Sequence, residues 1–335
     1  MIKMNYGNAK QQKALKEAYV KIIPERTLRQ TRWVELRKQL IGIDGRFKTL
    51  LPSKYNKLLV ADFQTLADIY ELYVTLNVKK SIVQLHQDAK ALFSYSENIT
   101  DRRGHEWEKL QPIIAGFFMD ENNGMEIHTC HYCDMAYVNP FTLQTGKKAQ
   151  FDLDHVLQKA KCPLVALSLF NFVPSCQMCN GSRIKGQREL YPDARIRKKL
   201  SPTNEDYDFE GKVRIEVVNK KGDCSTIGFE KRMADYEIQF NSHLDPDYSE
   251  EVKEFYLEER YNYHKCEALR LLDLKERYTD AHIMELARMI LQSPKTKVSA
   301  HGTRYITQLK QDIFASNYNH RFHRCFGKLY DDIMK

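Results

Sequence analysis

Apolar residues recur at every third or fourth position over most of the chain, which is the spacing of one face of an α-helix. Near the start, this pattern runs from Ala9 to Ile41 and is interrupted at Pro24, which predicts two helices separated by a break. A longer helical stretch is expected up to about Phe93, and Ser53 at its start is a residue type that favours the N-cap position. The first part of the chain is therefore predicted to be helical.

The period changes to two in the middle of the chain. Residues 151–156, FDLDHV, alternate between apolar and polar positions, as in a half-buried strand. Residues 136–141, AYVNPF, predict a second short strand that ends at Pro140. Strands are thus expected within a segment that is otherwise rich in turn residues.

A further alternation covers residues 213–217, and a turn then leads into a returning strand at 225–229, which indicates a β-hairpin. After Pro246 the helical spacing resumes and continues towards the C-terminus. Thr279 is the expected cap of one helix in this region, and the last stretch predicts two more helices.

Candidate chemistry begins with two Cys-x-x-Cys pairs, which are Cys130/Cys133 and Cys176/Cys179. Each pair supplies two thiolates from one turn, and two such pairs complete the tetrahedral ligand set of a structural Zn²⁺. A zinc ion here would tie together the two ends of the intervening segment. His128 and His131 flank the first pair and are the alternative ligands, and a redox dithiol is the alternative for either pair.

An Asp-His dipeptide, Asp154-His155, lies between the two cysteine pairs at the end of the predicted strand. Histidine titrates near neutrality and can act as a general base, whereas a carboxylate can hold a hard divalent cation. Asn180 directly follows the last cysteine and offers a neutral oxygen to the same cation. A lone Asp-His pair is usually a hydrogen-bonded surface feature, so the order Asp-His, Asn, Cys-x-x-Cys-Asn is what favours catalysis.

This order resembles the His-Asn-His (HNH) nucleases of the ββα-metal class, over roughly residues 125–190. The resemblance implies that His155 is the general base and that Asp154 and Asn180 ligate a single catalytic Mg²⁺ or Mn²⁺. It also implies that Asn171 braces the loop that orients His155. Asparagine in the last position, where many members have histidine, is a common variant of the pattern.

The family often has a lysine three residues after the last ligand, whereas this chain has Arg183 there and Lys185 nearby. A strongly basic run continues through Arg188 to Lys199. Because this run lies next to the predicted active site, Arg183, Lys185 and Arg188 are the expected nucleic-acid contacts. A solvated basic surface is the alternative interpretation.

Charge and cysteine usage set the expected compartment and partners. The net charge of +8 is compatible with nucleic-acid binding but does not require it. The remaining cysteines are scattered, which favours a reducing cytoplasm over a disulfide framework; they are Cys162, Cys224, Cys266 and Cys325. The polar N-terminus has no apolar signal core, and no stretch of about 18 apolar residues occurs, so no membrane association is expected.

These patterns predict a mostly helical α+β protein with a four-cysteine zinc site, and the resemblance implies that its centre is a ββα-metal HNH module. The expected domains are an N-terminal helical domain over residues 1–120, the nuclease module over 121–200, and a C-terminal region over 201–335 in which a β-hairpin precedes helices.

The function expected from the resemblance is metal-dependent hydrolysis of DNA phosphodiester bonds. The run DLDH, PL, Asn171, PSCQMCN also resembles HNH proteins of bacterial anti-phage defence systems, which often work with an ATPase or sensor. This sequence has no phosphate-binding Gly-x-x-x-x-Gly-Lys-Ser/Thr loop, so an ATPase would be a separate chain. An RNA-cleaving enzyme and a non-catalytic zinc module that binds nucleic acid or protein are the alternatives.

Overall fold

The computed structural model describes residues 2–76, 82–125, 127–220, 233–291, 300–313 and 324–334. The chain forms two compact units, residues 1–209 and 210–335. Within the described residues, helices predominate and the strands form two-stranded antiparallel pairs. The prediction of a mostly helical α+β protein is therefore confirmed.

The helices of the first unit come mainly before its strands. They are α1 (Ala9–Ile22), α2 (Arg26–Ile43), α3 (Phe47–Leu50), α4 (Tyr55–Leu59), α5 (Phe63–Leu76), α6 (Val83–Leu92), α7 (Gln111–Phe118), α8 (Gln177–Asn180) and α9 (Ala194–Lys199). Its strand pairs are β1 (Ile99–Thr100) with β2 (Glu106–Trp107), β3 (Pro140–Leu143) with β4 (Gly146–Ala149), and β5 (Asp152–His155) with β6 (Phe172–Ser175).

The first two helices and the break between them occur as predicted. Asn8 and Gln11 form a reciprocal capping box at the start of α1, in which each side chain accepts from the other residue's backbone N–H. Pro24 lies in the break, and Glu25 then takes a positive φ of 51° before α2 begins. The Tyr19 hydroxyl of α1 is buried and donates to the Leu167 backbone oxygen at 2.8 Å. Helix α1 is thereby joined to the segment that carries the candidate site.

The predicted cap at Ser53 is wrong. Helix α4 starts at Tyr55, and its first N–H donates to the side-chain oxygen of Gln30 at 2.7 Å. Gln30 lies on α2, which packs against α4, and its amide group also donates to the Ser53 backbone oxygen at 3.2 Å. A neighbouring helix therefore supplies the capping group that the local sequence was expected to supply.

Helix α5 forms a central part of the core of the first unit. Helix α5 is buried along most of its length, with Leu66, Tyr70 and Tyr73 fully shielded from solvent. It packs against two short 3₁₀ turns at residues 163–165 and 169–171, which connect β5 to β6. The helical region and the strand pair thus share one apolar core.

The strand predicted to end at Pro140 instead begins there. Pro140 pairs with Ala149 at the open end of the β3–β4 hairpin. A proline is tolerated at the first residue of a strand because it needs no ladder donor at that position. Tyr137 forms an isolated bridge with Thr129 just before the hairpin.

The second unit combines a hairpin with helices, most of which follow the hairpin. Its elements are α10 (Phe209–Lys212), which begins at the boundary, β7 (Arg214–Asn219), β8 (Tyr236–Asn241), α11 (Tyr248–Glu254), α12 (Leu257–Tyr263), α13 (Lys265–Arg277), α14 (Asp280–Leu291), α15 (Ala300–Ile313) and α16 (Gly327–Met334). The predicted return at 225–229 lies outside the described residues, and the strand that pairs with β7 is β8. Thr279 caps α14, since its hydroxyl accepts from the His282 N–H at 3.4 Å.

Among the described residues, no helix has the length and apolar character needed to cross a bilayer.

Candidate metal centre and active site

The four predicted zinc ligands converge in the structure. The sulfur atoms of Cys130, Cys133, Cys176 and Cys179 all lie within 4.8 Å of one another, and all four residues are buried. The Cys133 and Cys176 sulfurs are 3.9 Å apart. Four sulfurs around one zinc at about 2.3 Å would be separated by about 3.8 Å, so the cluster is close to the size that zinc requires.

Backbone amides donate to two of the sulfurs in this cluster. The N–H groups of Cys176 and Cys179 point at the sulfurs of Cys130 and Cys176, at 3.3 Å and 3.5 Å. Burial raises the pKa of the Cys130 thiol, whereas hydrogen bonds from the neighbouring thiols lower the pKa of Cys176. Four buried sulfurs that converge on one point form the donor set of a structural Zn²⁺ site, which binds cysteines as thiolates.

The alternative histidine ligands lie outside this cluster. Among the described residues, the candidate ligand group contains neither His128 nor His131. His131 Nδ1 is 2.9 Å from the Ile2 backbone oxygen, and burial lowers the His131 pKa to about 4. The Ile2 N–H in turn donates to the His131 oxygen at 2.9 Å, and the Met4 N–H donates to the Pro202 oxygen at 2.8 Å. The first residues of the chain therefore line the first cysteine turn.

The dipeptide Asp154-His155 ends strand β5, as the alternating pattern predicts. Asp154 is paired with Val173 and His155 with Phe172 on strand β6. After β6, Cys176 serves as the N-cap of the single helical turn α8. Two antiparallel strands and one helical turn thus connect the four-cysteine cluster to the Asp-His pair.

His155 is held in a defined orientation. Its Nε2 lies 2.9 Å from the Ala166 backbone oxygen. Since a carbonyl oxygen only accepts, Nε2 carries the proton and Nδ1 has the lone pair in the neutral ring. The rings of Tyr95 and Phe172 lie at centroid distances of 4.7 Å and 4.8 Å. Burial, assisted by the charge of Lys159, lowers the pKa of His155 to about 3, so the imidazole is neutral at pH 7.

Asn171 is fully buried and connects the two segments that frame His155. Its side-chain oxygen accepts from the Leu157 N–H at 2.7 Å. Its amide group donates to the backbone oxygens of Leu157 and Val165, both at 3.0 Å. Val165 directly precedes Ala166, so Asn171 fixes the loop after His155 relative to the carbonyl that orients the imidazole.

Asp154 is fully engaged by two buried neighbours. The Tyr132 hydroxyl donates to Asp154 Oδ2 at 2.7 Å, and the Lys185 ammonium contacts Oδ1. Lys185 also donates to the His155 backbone oxygen at 2.8 Å. The expected metal-binding carboxylate is therefore in an ion pair with a residue that was expected to bind nucleic acid.

Asn180 contacts Asp152 rather than Asp154, with a distance of 3.2 Å between its amide nitrogen and Asp152 Oδ2. Asp152 and Asp154 are two positions apart on one strand, so their side chains project from the same face. Both Asn180 and Asp152 are partly exposed, unlike Asp154. The candidate oxygen ligands among the described residues are therefore the buried Asp154 carboxylate and the more exposed pair formed by Asp152 and Asn180.

The helix that was predicted to start near Asn180 instead ends there. Gly181 continues in an extended conformation, and a Cβ at this position would lie 2.5 Å from the Gln177 oxygen. Gly186 then adopts a positive φ of 53° and closes the turn through its hydrogen bond to the Gly181 oxygen at 2.9 Å. A tight turn thus follows the second cysteine pair.

The basic run has mixed roles. Lys185 and Arg197 are buried, and Arg197 forms ion pairs with Glu71 and Glu189. Arg183 and Arg188 are exposed, although Arg188 also donates to the Ile184 backbone oxygen at 3.1 Å. Two of the basic residues in this run, Lys185 and Arg197, therefore form ion pairs in the protein interior and do not belong to an exposed phosphate-binding surface.

Three residues of this site were missed in the sequence. Tyr95 and Tyr132 contact His155 and Asp154 from distant positions in the chain, and no local pattern indicates these contacts. Asp152 had a signal, because its two-residue offset from Asp154 in the predicted strand places both on one face.

Comparisons with known proteins add no relative. No family profile, curated protein or solved structure matches the chain. The resemblance to HNH nucleases therefore stays a prediction that rests on the sequence motif.

Proposed function

We propose that this chain is a metal-dependent HNH endonuclease that hydrolyses phosphodiester bonds in DNA. The observation that carries the proposal is the orientation of His155. Its Nε2 donates to the Ala166 oxygen at 2.9 Å, which leaves Nδ1 as the ring nitrogen that can accept a proton. An imidazole oriented in this way, beside a carboxylate and next to a four-cysteine cluster, is what the HNH reaction needs.

In the proposed mechanism, His155 takes a proton from the attacking water while the Ala166 carbonyl stabilises the resulting imidazolium. Asp154 and Asn180 would hold the divalent ion, and Asp152 positions the Asn180 amide. Carboxylate and amide oxygens are the donor types that Mg²⁺ and Mn²⁺ prefer, so the residues fit this ion. When bound, the ion neutralises charge developing on the scissile phosphate and on the leaving oxygen.

A non-catalytic zinc module is the second candidate, and one observation favours it. Both oxygens of Asp154 are already engaged, by Tyr132 and Lys185, in a buried arrangement that could serve as a structural support. An RNA-cleaving enzyme is a variant of the main proposal. A role in anti-phage defence with a separate ATPase or sensor rests on the motif resemblance alone and stays a prediction.

The test is cleavage of plasmid DNA and of single-stranded RNA in Mg²⁺ or Mn²⁺ by the wild type and by His155→Ala. His86→Ala is the matched control, because His86 is a partly buried histidine on α6 that lies outside the site. We expect the wild type and His86→Ala to cut DNA, and His155→Ala to lose at least about a hundredfold in rate.

Equal cutting by His155→Ala would contradict the role of His155. Cleavage of RNA alone would assign the enzyme to the alternative substrate. A folded, zinc-containing wild type that binds DNA but cuts neither substrate would favour the non-catalytic module.

A further inference from the structure

The Lys185–Asp154 ion pair lies where the proposed function requires a divalent cation. The lysine ammonium contacts Asp154 Oδ1 and donates to the His155 backbone oxygen at 2.8 Å. The two side chains are only 4% and 5% exposed, so bulk water screens this pair weakly. The carboxylate is therefore already matched by one buried positive charge.

We propose that the Lys185 ammonium and the catalytic divalent ion compete for Asp154, so that the ion binds only after Lys185 has left this carboxylate. The inference rests on the proposed function, because it concerns the metal of that reaction. It makes Lys185 a positioning residue that sets the metal affinity of the resting protein.

Charge is the reason why the two cations exclude each other. A divalent ion on Asp154 would lie within a few ångströms of a buried ammonium, and repulsion between like charges is strong where solvent is excluded. Lys159 is a further cation near this site, since its ammonium lies 4.4 Å from the ring of Tyr95, which contacts His155. Asp152 is the nearby carboxylate on the same strand face that would offset part of the added charge.

The turn that carries Lys185 is anchored by its backbone rather than by its side chain. The Lys185 N–H donates to the Cys179 oxygen at 3.2 Å, and the Ile184 N–H donates to the Gly181 oxygen at 3.1 Å. The second cysteine pair therefore positions both Asn180 and Lys185. Release of the ammonium requires rotations of the flexible lysine side chain, while these backbone bonds stay in place.

Mn²⁺ binding tests this competition without relying on catalysis. The free ion is measured by electron paramagnetic resonance during titration of the full, zinc-loaded chain. The variants are Lys185→Gln, which removes the charge but keeps an N–H donor, and Asp154→Asn, which removes the shared carboxylate. Arg183→Gln is the control, because it removes one positive charge from an exposed residue in the same turn.

We expect Lys185→Gln to bind Mn²⁺ at least about tenfold more tightly than the wild type, and Arg183→Gln to change the affinity by less than about threefold. Asp154→Asn should abolish the site. If Lys185→Gln binds no more tightly than Arg183→Gln while Asp154→Asn still abolishes binding, the competition is wrong and the proposed metal site stands. If Asp154→Asn leaves Mn²⁺ binding unchanged, the metal site of the proposed function fails, and this inference fails with it.

A second measurement uses the wild type alone, in case Lys185→Gln does not fold. Acetylation of lysines is followed by mass spectrometry with and without saturating Mn²⁺, and exposed Lys147 is the internal reference. Mn²⁺ should raise the acetylation of Lys185 relative to Lys147 severalfold. Continued protection of Lys185 in saturating Mn²⁺ would overturn the proposal.

Discussion

Tyr95 meets the imidazole of His155 edge to face, with a centroid distance of 4.7 Å. Tyr95 lies just after α6 and belongs to the helical region, whereas His155 lies on β5. The helical region therefore contributes a side chain to the candidate active site. It also packs, through α5, against the turns that connect β5 to β6. Burial behind Tyr95 and Phe172 is also the main cause of the lowered pKa of His155.

The first prediction concerns zinc. Cys176→Ser should reduce the zinc content well below about one ion per chain and should lower the free energy of unfolding by several kcal/mol, because structural zinc supplies about 10–16 kcal/mol of binding energy in small zinc domains. Metal analysis and thermal unfolding measure the two effects. Cys266→Ser is the control, since Cys266 is exposed and lies in the second unit. Full zinc content in Cys176→Ser would exclude the four-cysteine site.

The second prediction concerns the brace at Asn171. Asn171→Ala would leave the buried Leu157 N–H without its acceptor and would remove one of the two donors to the Val165 oxygen, at a cost of about 1–3 kcal/mol in unfolding free energy. Zinc content should be unchanged, and cleavage should fall because the Ala166 carbonyl is no longer fixed. Urea denaturation checks the stability. Asn122→Ala, at an exposed position, should change it by less than about 0.5 kcal/mol.

The third prediction concerns the hydroxyl of Tyr132. Tyr132→Phe keeps the ring in its buried place but removes the 2.7 Å hydrogen bond to Asp154. We expect a loss of about 1–3 kcal/mol in unfolding free energy, because the buried Asp154 side chain loses a hydrogen-bond donor. Tyr137→Phe is the control at an exposed tyrosine of the same segment and should be near neutral. Equal stability of the two variants would show that Asp154 does not depend on Tyr132.

The fourth prediction separates structural from nucleic-acid-binding arginines. Arg197 donates to the backbone oxygens of Leu190 and Tyr191, both at 3.1 Å, and forms an ion pair with Glu71. Arg197→Gln should cost about 1–3 kcal/mol in stability, because it leaves the Leu190 and Tyr191 backbone oxygens without this buried donor.

Arg195→Gln provides the comparison, because Arg195 is an exposed neighbour on the same helix. This variant should leave stability nearly unchanged. Thermal unfolding and DNA-binding titrations of both variants distinguish the roles. If Arg197→Gln weakens DNA binding without affecting stability, our structural assignment of Arg197 is incorrect.

Features encoded by short patterns were predictable from the sequence. The four cysteines converge because two Cys-x-x-Cys turns form a closed tetrahedral set, and β5 follows its alternating residues. The break at Pro24 and the cap at Thr279 are likewise local, because each depends on the backbone of adjacent residues.

Features that depend on distant residues were not predictable. The cap of α4 comes from Gln30, so the local signal at Ser53 was misleading. Helix α8 ends at Asn180 because Gly181 packs against the Gln177 oxygen, whereas charge and periodicity favoured a helix that begins there. The basic run predicts that Lys185 contacts phosphate. Its burial against Asp154 depends on tertiary packing, which the local sequence does not indicate.

The backbone pairing of Ile2 with His131 and of Met4 with Pro202 has a consequence for cloning. A fragment that begins at residue 121 would lack the N-terminal residues that pair with the first cysteine turn. It would also expose the apolar surface that α5 covers in the full chain. Residues 121–200 are therefore not expected to fold as an isolated fragment. The smallest autonomous form that contains them is expected to be residues 1–209, the whole first unit.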